Sequence, residues 1–288
     1  MATKRLTIIT GGSRGLGHCL VQACLDIGDV LNVSRQPARR IESPGSAGAH
    51  SVAGPHRLHN LPLDLGHPSE VEPALDVWLA AHPDHTVETL IHNAACLNLG
   101  WLTDVAPGDL ATAFAVNVFS PLAITARVFQ AGRFAQRACR VAYVISSLAR
   151  HDASLSFAGL GVYSATKAAL SRLALIQSRE FELAAPHIKV LRIHPGIVDT
   201  EIQRELRQHP TLDPAFAAKT AGLPPYREGD WIDRAPSDAM RTISAELAAE
   251  FVMWAMRSPD ATSDEYDFYH STPFHAARRE REIQGRHA

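Results

Sequence analysis

The sequence predicts an α/β fold, a single domain built on a doubly wound parallel sheet of about seven strands with helices on both faces. Three observations predict it. Short apolar runs alternate with helical stretches, a glycine-rich turn follows the first run, and no internal repeat marks a second domain. Such alternation is typical of parallel strands joined by crossover helices. The 288 residues, 46% of them hydrophobic, are enough for one domain over residues 1–288.

The predicted strands are short apolar runs bounded by glycine, proline and polar residues. They lie near residues 5–10, 29–34, 57–62, 87–92, 140–146, 188–194 and 265–269. The predicted helices lie near residues 15–27, 69–81, 108–137, 161–184 and 243–257. Pro121 falls inside the third of these helices, where its missing N–H predicts a kink.

Three segments depart from the alternation. Residues 36–56 are rich in Gly, Pro, Ala and Ser, which predicts a flexible surface loop. Residues 201–236 carry five prolines, with Phe216, Tyr226 and Trp231 between them. The charged C-terminal run RREREIQGR is interpreted as a solvated tail.

Charge, cysteine and histidine content exclude several classes of function. The net charge of −2 gives no electrostatic case for nucleic acid or an acidic membrane. Four scattered cysteines without a CxxC pair indicate reduced thiols. Fifteen histidines form no HExxH or CxxC…HxxxH arrangement, so no metal site is predicted.

The termini and hydropathy give the expected compartment. No apolar run approaches the roughly 20 residues of a membrane span. The first predicted strand begins too close to Met1 to leave room for a signal peptide. We therefore expect a cytoplasmic protein that binds neither nucleic acid nor membrane.

A glycine-rich turn, TGGSRGLG, joins the first predicted strand to the first predicted helix. Strand, turn and helix in this order are the context of a dinucleotide-binding fingerprint, which predicts a Rossmann fold. Gly11 would permit the tight turn, Gly15 would let the backbone approach a pyrophosphate, and Gly17 would let the helix pack on the strand. The helix N-terminus would offer free N–H groups to the phosphates. The alternative is a glycine-rich turn without a ligand.

Tyr163 and Lys167 stand four residues apart in GVYSATKAAL, and a helix would place both on one face. A lysine ammonium beside a phenol favours the phenolate, so we expect the pKa of Tyr163 to fall from about 10 towards working pH. Such a tyrosine could serve as general acid/base in a carbonyl/alcohol interconversion. This spacing also occurs by chance in many helices.

The GxxxGxG spacing together with YxxxK resembles the short-chain dehydrogenase/reductase family. The segments LPLDL, HNAA, AVNVFSPL, VAYVISS and PGIVDT match further family motifs in order, so the resemblance covers nearly the whole chain. It implies a nicotinamide-dependent oxidoreductase that interconverts a small-molecule carbonyl and its alcohol, as a homodimer or homotetramer. It implies a catalytic set of Asn117, Ser147, Tyr163 and Lys167. It implies cofactor contacts from Gly11, Ser13, Arg14, Gly15, Leu16, Gly17, Ser34, Arg35, Asp64, Leu65, Asn93, Ala94, Ala95, Tyr163, Lys167, Pro195, Gly196, Val198 and Thr200.

The resemblance also implies a role for each candidate catalytic residue. Tyr163 would exchange a proton with the substrate oxygen, and Ser147 would polarise the carbonyl. Lys167 would lower the pKa of the tyrosine and hold the nicotinamide ribose, and Asn117 would bind a water that returns protons to it. Thr200 would help to fix the carboxamide. Residues 201–236 would form the substrate-binding lid.

The sequence departs from the family pattern at four places. Sixteen positions separate Ser147 from Tyr163, which predicts a longer loop beside the site, and Ser146 is the alternative serine. His92 and Ala95 replace the first asparagine and the last glycine of the family's NNAG, and the His92 change would alter a hydrogen bond on the adenosine side. EYDFYHS stands in place of a C-terminal VDGG-type segment.

The second predicted strand ends at Ser34-Arg35 without a carboxylate, and Arg14 adds a second cation nearby. Two guanidinium groups suit a 2′-phosphate, which predicts NADP(H) in preference to NAD(H). The alternative is a pair of solvent-exposed arginines.

Three functions remain open at this point. The first is an NADP(H)-dependent ketone reductase or alcohol dehydrogenase, with a resemblance to the sepiapterin and benzil reductase branch and its vicinal dicarbonyl substrates. The second is a nucleotide-binding sensor or regulator with little turnover. The third is a reductase of an imine, enone or carrier-bound thioester.

Overall fold

The computed structural model describes residues 3–41, 56–150, 152–225, 241–258 and 265–285. The strands are β1 (Lys4–Thr10), β2 (Asp29–Ser34), β3 (Leu58–Pro62), β4 (His85–His92), β5 (Cys139–Val144), β6 (Ile188–His194), β7 (Ile197–Val198), β8 (Thr242–Ile243) and β9 (Glu265–Asp267). The helices are α1 (Gly15–Leu25), α2 (Pro68–Ala81), α3 (Pro107–Phe114), α4 (Ser120–Gln130), α5 (Gly161–Ala184), α6 (Glu201–Gln208), α7 (Pro214–Ala221), α8 (Ala245–Arg257) and α9 (Thr272–Gly285).

Seven strands form one parallel sheet in the order β3-β2-β1-β4-β5-β6-β9. The chain builds outward from β1 to β3 on one side and then from β4 to β9 on the other. The strand order therefore reverses between β1 and β4, where Thr10 pairs with His92 at the carboxyl ends. A doubly wound sheet binds its ligands in the crevice at such a switch point. The predicted fold class is confirmed.

Helices cover both faces of the sheet, and alternate side chains of β1 pack against the two layers of helices. Ile8 belongs to the hydrophobic cluster that contains Leu75 of α2 and Leu170 of α5. Ile9 points to the opposite face, where it joins the cluster that contains residues of α1 and α8. Successive strand residues face opposite sides, so a run of apolar residues in a central strand serves two cores at once.

The third predicted helix forms but ends at Gln130, so its predicted end at residue 137 is wrong. The continuous helical stretch consists of α3, a π-helical turn at Ala115–Phe119, and α4. Pro121 lies in the first turn of α4 and lacks the N–H that an α-helix would bond to residue 117, so the wider turn precedes it. Gly132, with φ of 61°, follows the end of α4.

The C-terminal region also differs from its prediction. The last strand of the sheet ends at Asp267, and a 3₁₀ turn, Phe268–His270, follows it. The charged run that we expected to be a solvated tail continues α9 as far as Gly285, and Arg278 and Arg281 both pair with Glu250 of α8. These ion pairs hold α9 against α8, so this part of the charged run is packed on the protein.

Two predicted irregular segments are described only in part. Residues 42–55 of the predicted loop lie outside the described residues. The predicted lid contains α6 and α7, whereas Tyr226, Trp231 and the rest of residues 226–236 lie outside the described residues.

The expectation that no apolar stretch reaches membrane-spanning length needs correction. The helical stretch Pro107–Gln130 has 24 residues and a most apolar window of mean hydropathy 1.4. Half of that window is buried inside the protein. The core helix of a globular protein has the same length and composition.

Candidate active site

A cavity of about 1060 Å³ opens at the carboxyl ends of the central strands. It is lined by the glycine turn, the ends of β2, β4, β5 and β6, the first turns of α5, and residues of α6 and α7. The structure brings together every predicted site residue in the lining of this cavity except Asn117.

The glycine turn is held against the end of β4 by side-chain hydrogen bonds. The hydroxyl of Thr10 accepts the N–H groups of Asn93 and Ala94, each at 3.1 Å. The Asn93 amide in turn donates to the Gly11 carbonyl at 3.1 Å. A Cβ at Gly17 would lie 2.1 Å from the Gly11 carbonyl oxygen, so only glycine allows this close approach of helix and strand.

Asn32 fixes the other side of the turn, and its role could not be predicted from a motif. Its carbonyl oxygen accepts the Gly12 N–H at 2.9 Å, and its amide nitrogen donates to Ser34 and to Asn60, both at 2.9 Å. Asn32 is buried within β2, where a strand residue is expected to be apolar. A buried polar residue within an otherwise apolar run is the feature of the sequence that could have indicated this role.

These residues fit a dinucleotide. The first turn of α1 contains no acidic residue, and no hydrogen bond from the Arg14 side chain caps the helix. The N–H groups of the first turn therefore face the cavity with the positive end of the helix dipole. Gly15, with φ of 53°, leaves no side chain between the backbone and the cavity. This is a cradle for a pyrophosphate.

Two cations line the cavity, Arg35 after β2 and Arg14 in the glycine turn. Arg35 is exposed and lines it directly. Arg14 is also exposed, and its guanidinium forms an ion pair with Glu201 at the start of α6. Asp64, farther along, accepts the Gly66 N–H at 2.8 Å and so shapes the turn after β3.

Lys167 is buried beneath Tyr163, with its Nζ 5.9 Å from the centre of the tyrosine ring. The ammonium donates to the carbonyl of Val144 at 3.0 Å, which ties α5 to the end of β5. Burial lowers the pKa of Lys167 to about 8 because the charged form loses its hydration.

The predicted lowering of the tyrosine pKa is wrong for the protein without ligand. Burial raises the pKa of Tyr163 to about 12, and a hydrogen bond with Ser146 lowers it only in part. Burial destabilises the phenolate, and an ammonium 5.9 Å from the ring does not offset that loss of hydration. Tyr163 is therefore a protonated donor at neutral pH.

The two serines after β5 differ in their contacts. The Ser146 side chain hydrogen-bonds Tyr163 and accepts the Leu148 N–H at 3.2 Å. Ser147 begins a single 3₁₀ turn, Ser147–Ala149, and lines the same cavity. The structure thus places Ser146, the alternative to the expected Ser147, in contact with the tyrosine hydroxyl.

Asn117 lies within the helical stretch between β4 and β5 and does not line the cavity. It is fully buried in the π-helical turn, where its amide donates to the Cys96 carbonyl and the Thr166 hydroxyl, both at 2.9 Å. Its oxygen accepts the Cys96 N–H at 2.7 Å. The side chain joins the loop after β4 to α5 and so positions the site, while the expected water-binding role stays a prediction.

His92 does not face the adenosine side of the cavity, contrary to expectation. Its ring stacks on Tyr143, 4.8 Å between centroids, and its Nε2 lies 2.8 Å from the Thr125 hydroxyl. Burial, and to a smaller extent the charge of Lys167, lowers the pKa of His92 to about 3. The ring is a neutral part of the core.

The PGIVDT segment closes the cavity from the β6 side. Gly196 has φ of 91°, and the following Ile197 N–H donates to the Tyr269 hydroxyl at 2.9 Å. That hydroxyl donates to the Arg241 carbonyl at 2.5 Å. The Thr200 methyl would lie 3.3 Å from a Cβ at Gly15, which places it against the glycine turn. Tyr269, within EYDFYHS, belongs to no motif and was missed.

EYDFYHS has a second function in holding the site together. Arg150, after the serine turn, donates to Glu265 at 3.0 Å and to Asp267 at 2.7 Å. His194, at the end of β6, contacts the same Glu265 at 2.7 Å. This hydrogen bond and nearby cations outweigh partial burial and lower the pKa of Glu265 to about 2.

Part of the cavity wall is apolar. Leu160, Leu206, Leu212 and Phe216 form a separate hydrophobic cluster between the long loop after β5 and the two helices α6 and α7. Phe157 meets Phe216 edge to face with 4.9 Å between ring centres, and both line the cavity. The arrangement offers an apolar wall next to Tyr163.

Comparisons with known proteins agree with this geometry. The family model for short chain dehydrogenases matches residues 5–211. Sepiapterin reductase from Bos taurus is 26% identical over 241 residues, which are 80% of this chain and 85% of the relative. L-xylulose reductase from Aspergillus niger is 28% identical over 213 residues, 67% of each chain.

A solved structure supports the fold. The short chain dehydrogenase from Burkholderia cenocepacia J2315, in complex with NADP, superposes with a TM-score of 0.63 at 22% identity. The superposition covers 92% of this chain and 95% of that chain.

Proposed function

The chain belongs to the short-chain dehydrogenase family and is an NAD(P)-dependent oxidoreductase, and within that class we propose that it reduces an apolar or aromatic ketone with NADPH. The observation that carries the proposal is the cluster of Tyr163, Lys167 and Ser146 at the wall of the cavity that also contains the glycine cradle. The proton donor and the dinucleotide site therefore line the same cavity.

The residues divide between cofactor and substrate. The cradle formed by Gly11, Gly15 and Gly17 would hold the pyrophosphate, and Asp64 would lie beside the adenine. The bound cofactor supplies the hydride that reduces the carbonyl carbon. Lys167 makes one hydrogen bond to a described residue, Val144, which leaves ammonium donors for the ribose hydroxyls.

Tyr163 gives its proton to the substrate oxygen as the carbonyl is reduced. Its pKa of about 12 keeps it protonated at neutral pH, which suits reduction better than oxidation. A serine hydroxyl polarises the carbonyl from the same side, in the manner of an oxyanion donor. Ser146 is the better supported of the two serines, because its side chain already hydrogen-bonds the tyrosine.

The choice of NADPH rests on Arg14 and Arg35. Both line the cavity, where Arg35 follows Ser34 at the end of β2 and Arg14 is paired with Glu201, and the strand end itself carries no carboxylate. Paired guanidinium donors suit a phosphate dianion. The Burkholderia relative in complex with NADP is in keeping with that choice.

The substrate class rests on the apolar wall. Residues 201–236 would act as the lid, and Phe216 and Phe157 would pack on an apolar or aromatic group of the ketone. The similarity to a sepiapterin reductase adds a vicinal dicarbonyl to the substrates to be tested.

Exposed apolar side chains on two helices support a homodimer or homotetramer. They lie on α4 and α5 and comprise Phe129, Leu175, Ile176 and Leu183, the last 73% exposed. Several exposed apolar side chains gathered on two helices are typical of a subunit interface. Four free cysteines fit a reducing compartment, the cytoplasm.

The test is NADPH oxidation, followed by nicotinamide absorbance, with a panel of vicinal diketones, aromatic ketones and a β-ketoester. Tyr163→Phe removes the proton donor and keeps the ring, so turnover should fall by about 10²–10⁴-fold. NADPH affinity, measured by fluorescence, should change little. Wild-type turnover in the variant, or NADPH binding without turnover on any carbonyl, would contradict the proposal, and the second result would favour a nucleotide sensor.

A further inference from the structure

A cluster of histidines lies at the end of the sheet opposite the cavity. Histidines 56, 59, 82 and 85 form two H-x-x-H pairs that bring their rings to the amino ends of β3 and β4, next to Asp29 at the start of β2. Asp29 and Ser34 are the two ends of β2, so roughly 17 Å separates the cluster from the cofactor crevice. The sequence predicts no metal site because its histidines form no metal-binding motif within one segment. The residues of this cluster come from three separate segments.

Three of these residues present metal ligands to one point. One ligand atom from each of Asp29, His59 and His85 lies within 4.8 Å of the others. His85 Nε2 is 3.0 Å and His59 Nε2 is 3.8 Å from Asp29 Oδ2. Two ligands of a tetrahedral zinc, at bonds of about 2.0–2.1 Å, are about 3.3 Å apart, so these separations bracket the required spacing.

The ring of His85 is oriented as in a metal site. Its Nδ1 lies 3.0 Å from the Asp84 carboxylate, which is itself held by Lys4 at 2.7 Å. When Nδ1 donates to Asp84, the lone pair of Nε2 points at the Asp29 carboxylate. Two electron-rich atoms 3.0 Å apart need a cation between them, either a second proton or a metal ion. A carboxylate behind a ligating histidine is the usual support of a bound metal.

His59 provides an independent indication. Its Nε2 is buried, has no hydrogen-bond partner among the described residues and faces Asp29 Oδ2. The ring packs edge to face on Trp78, with centroids 5.5 Å apart, so it is fixed in place.

Asp29 has one oxygen to spare for a ligand. Its Oδ1 accepts the Arg57 N–H at 2.8 Å, and its Oδ2 is the atom that faces the two imidazoles. The carboxylate therefore presents Oδ2 to a cation held between the two imidazoles.

We propose that Asp29, His59 and His85 form a zinc site, with water as the fourth ligand, that ties the amino ends of β2, β3 and β4 together. Two imidazoles and one carboxylate suit a borderline divalent ion, whereas Mg²⁺ and Ca²⁺ prefer oxygen ligands alone. Because the site lies far from the cofactor crevice, the ion stabilises the fold and takes no part in the reduction, in which Tyr163 is the proton donor.

The test is a zinc titration by calorimetry of the chelator-stripped, tag-free chain. Wild type should bind one zinc per chain, and His59→Gln should bind at least about tenfold more weakly. His187→Gln removes a histidine from the turn before β6 and should bind as wild type does. No zinc binding by wild type, or equal affinity in His59→Gln and wild type, would overturn the proposal.

A second variant and a second readout separate ligation from misfolding. Asp84→Asn leaves all three ligands in place and removes only the support of His85, so zinc affinity should fall about 10–100-fold. Zinc should raise the melting temperature of wild type and not that of His59→Gln, since only a ligand that binds the folded state stabilises it. Unchanged circular dichroism would show that the variants fold. An equal rise in melting temperature in His59→Gln would also overturn the site, and no part of this test requires ketone turnover.

Discussion

Arg14, in the glycine-rich turn, forms an ion pair with Glu201, the first residue of α6. Both side chains are exposed, and the pair connects the phosphate side of the cavity with the first helix of the proposed lid. Because Arg14 is one of two cations proposed to bind the 2′-phosphate, Glu201 competes with NADPH for its guanidinium. Binding of the cofactor would then release α6.

Glu201→Gln should therefore lower the KM for NADPH. An exposed ion pair contributes only about 0.2–1 kcal/mol, so the expected change is about 1.5- to fivefold. Glu205→Gln is the matched control, because it removes the same charge from the same helix outside the pair. Steady-state kinetics at fixed ketone gives both values. An equal decrease in the two variants would mean that net charge, and not the pair, is responsible.

The two serines after β5 can be separated by their single alanine variants. Ser146 hydrogen-bonds Tyr163, whereas Ser147 begins the next turn, so Ser146→Ala should be the more damaging change. Removal of a donor to the developing oxyanion costs about 10²–10³-fold in kcat. Ser147→Ala should retain kcat within about tenfold, and NADPH affinity should be unchanged in both. A larger loss of kcat in Ser147→Ala than in Ser146→Ala would show that Ser147 polarises the carbonyl.

The features that the sequence predicts well are those whose geometry is determined within a short stretch of the chain. The glycine turn and the Tyr163–Lys167 pair each lie within one turn or one helix, so their spacing determines their geometry. The sheet follows from alternating apolar runs, and its switch point places the cavity. These features depend on local chain geometry and on burial.

What the sequence could not predict depends on contacts between distant segments. The zinc ligands come from three strands, and Asp29 and His85 are 56 positions apart. The pKa of Tyr163 depends on how deeply the ring is buried, which spacing does not reveal. Asn117 matches a motif, yet its side chain is used by Cys96 and Thr166, and only the packed structure shows that.

Leu183→Asp should disrupt the proposed oligomer. Leu183 is 73% exposed on the apolar face of α5, so a carboxylate there costs little in the monomer and would be buried unpaired in an interface. The molar mass from light scattering should fall to that of one chain, 31.3 kDa, at micromolar concentration. Val77→Asp, on α2 and 75% exposed, is the control with unchanged mass. A full oligomer in Leu183→Asp would exclude this face.

Lys167 should make the stability of the protein depend on pH in the alkaline range. Its pKa is about 8 in the folded protein and 10.5 as a free side chain, so between these values the unfolded chain holds the extra proton. Stability therefore rises with pH across this window, and the rise should be on the order of 2 kcal/mol by pH 10. Lys167→Met carries no such proton.

The measurement is the free energy of urea unfolding of wild type and Lys167→Met between pH 7.5 and 10, without cofactor. The wild-type value should rise relative to that of the variant as the pH increases, because the cost of burying the ammonium disappears. The upper limit avoids the opposite effect of Tyr163, whose folded pKa of about 12 reduces stability once the unfolded phenol ionises above 10. Lys189→Met, a change at a partly exposed lysine of β6, should run parallel to wild type. Parallel curves for Lys167→Met as well would show that the ammonium remains hydrated in the folded protein.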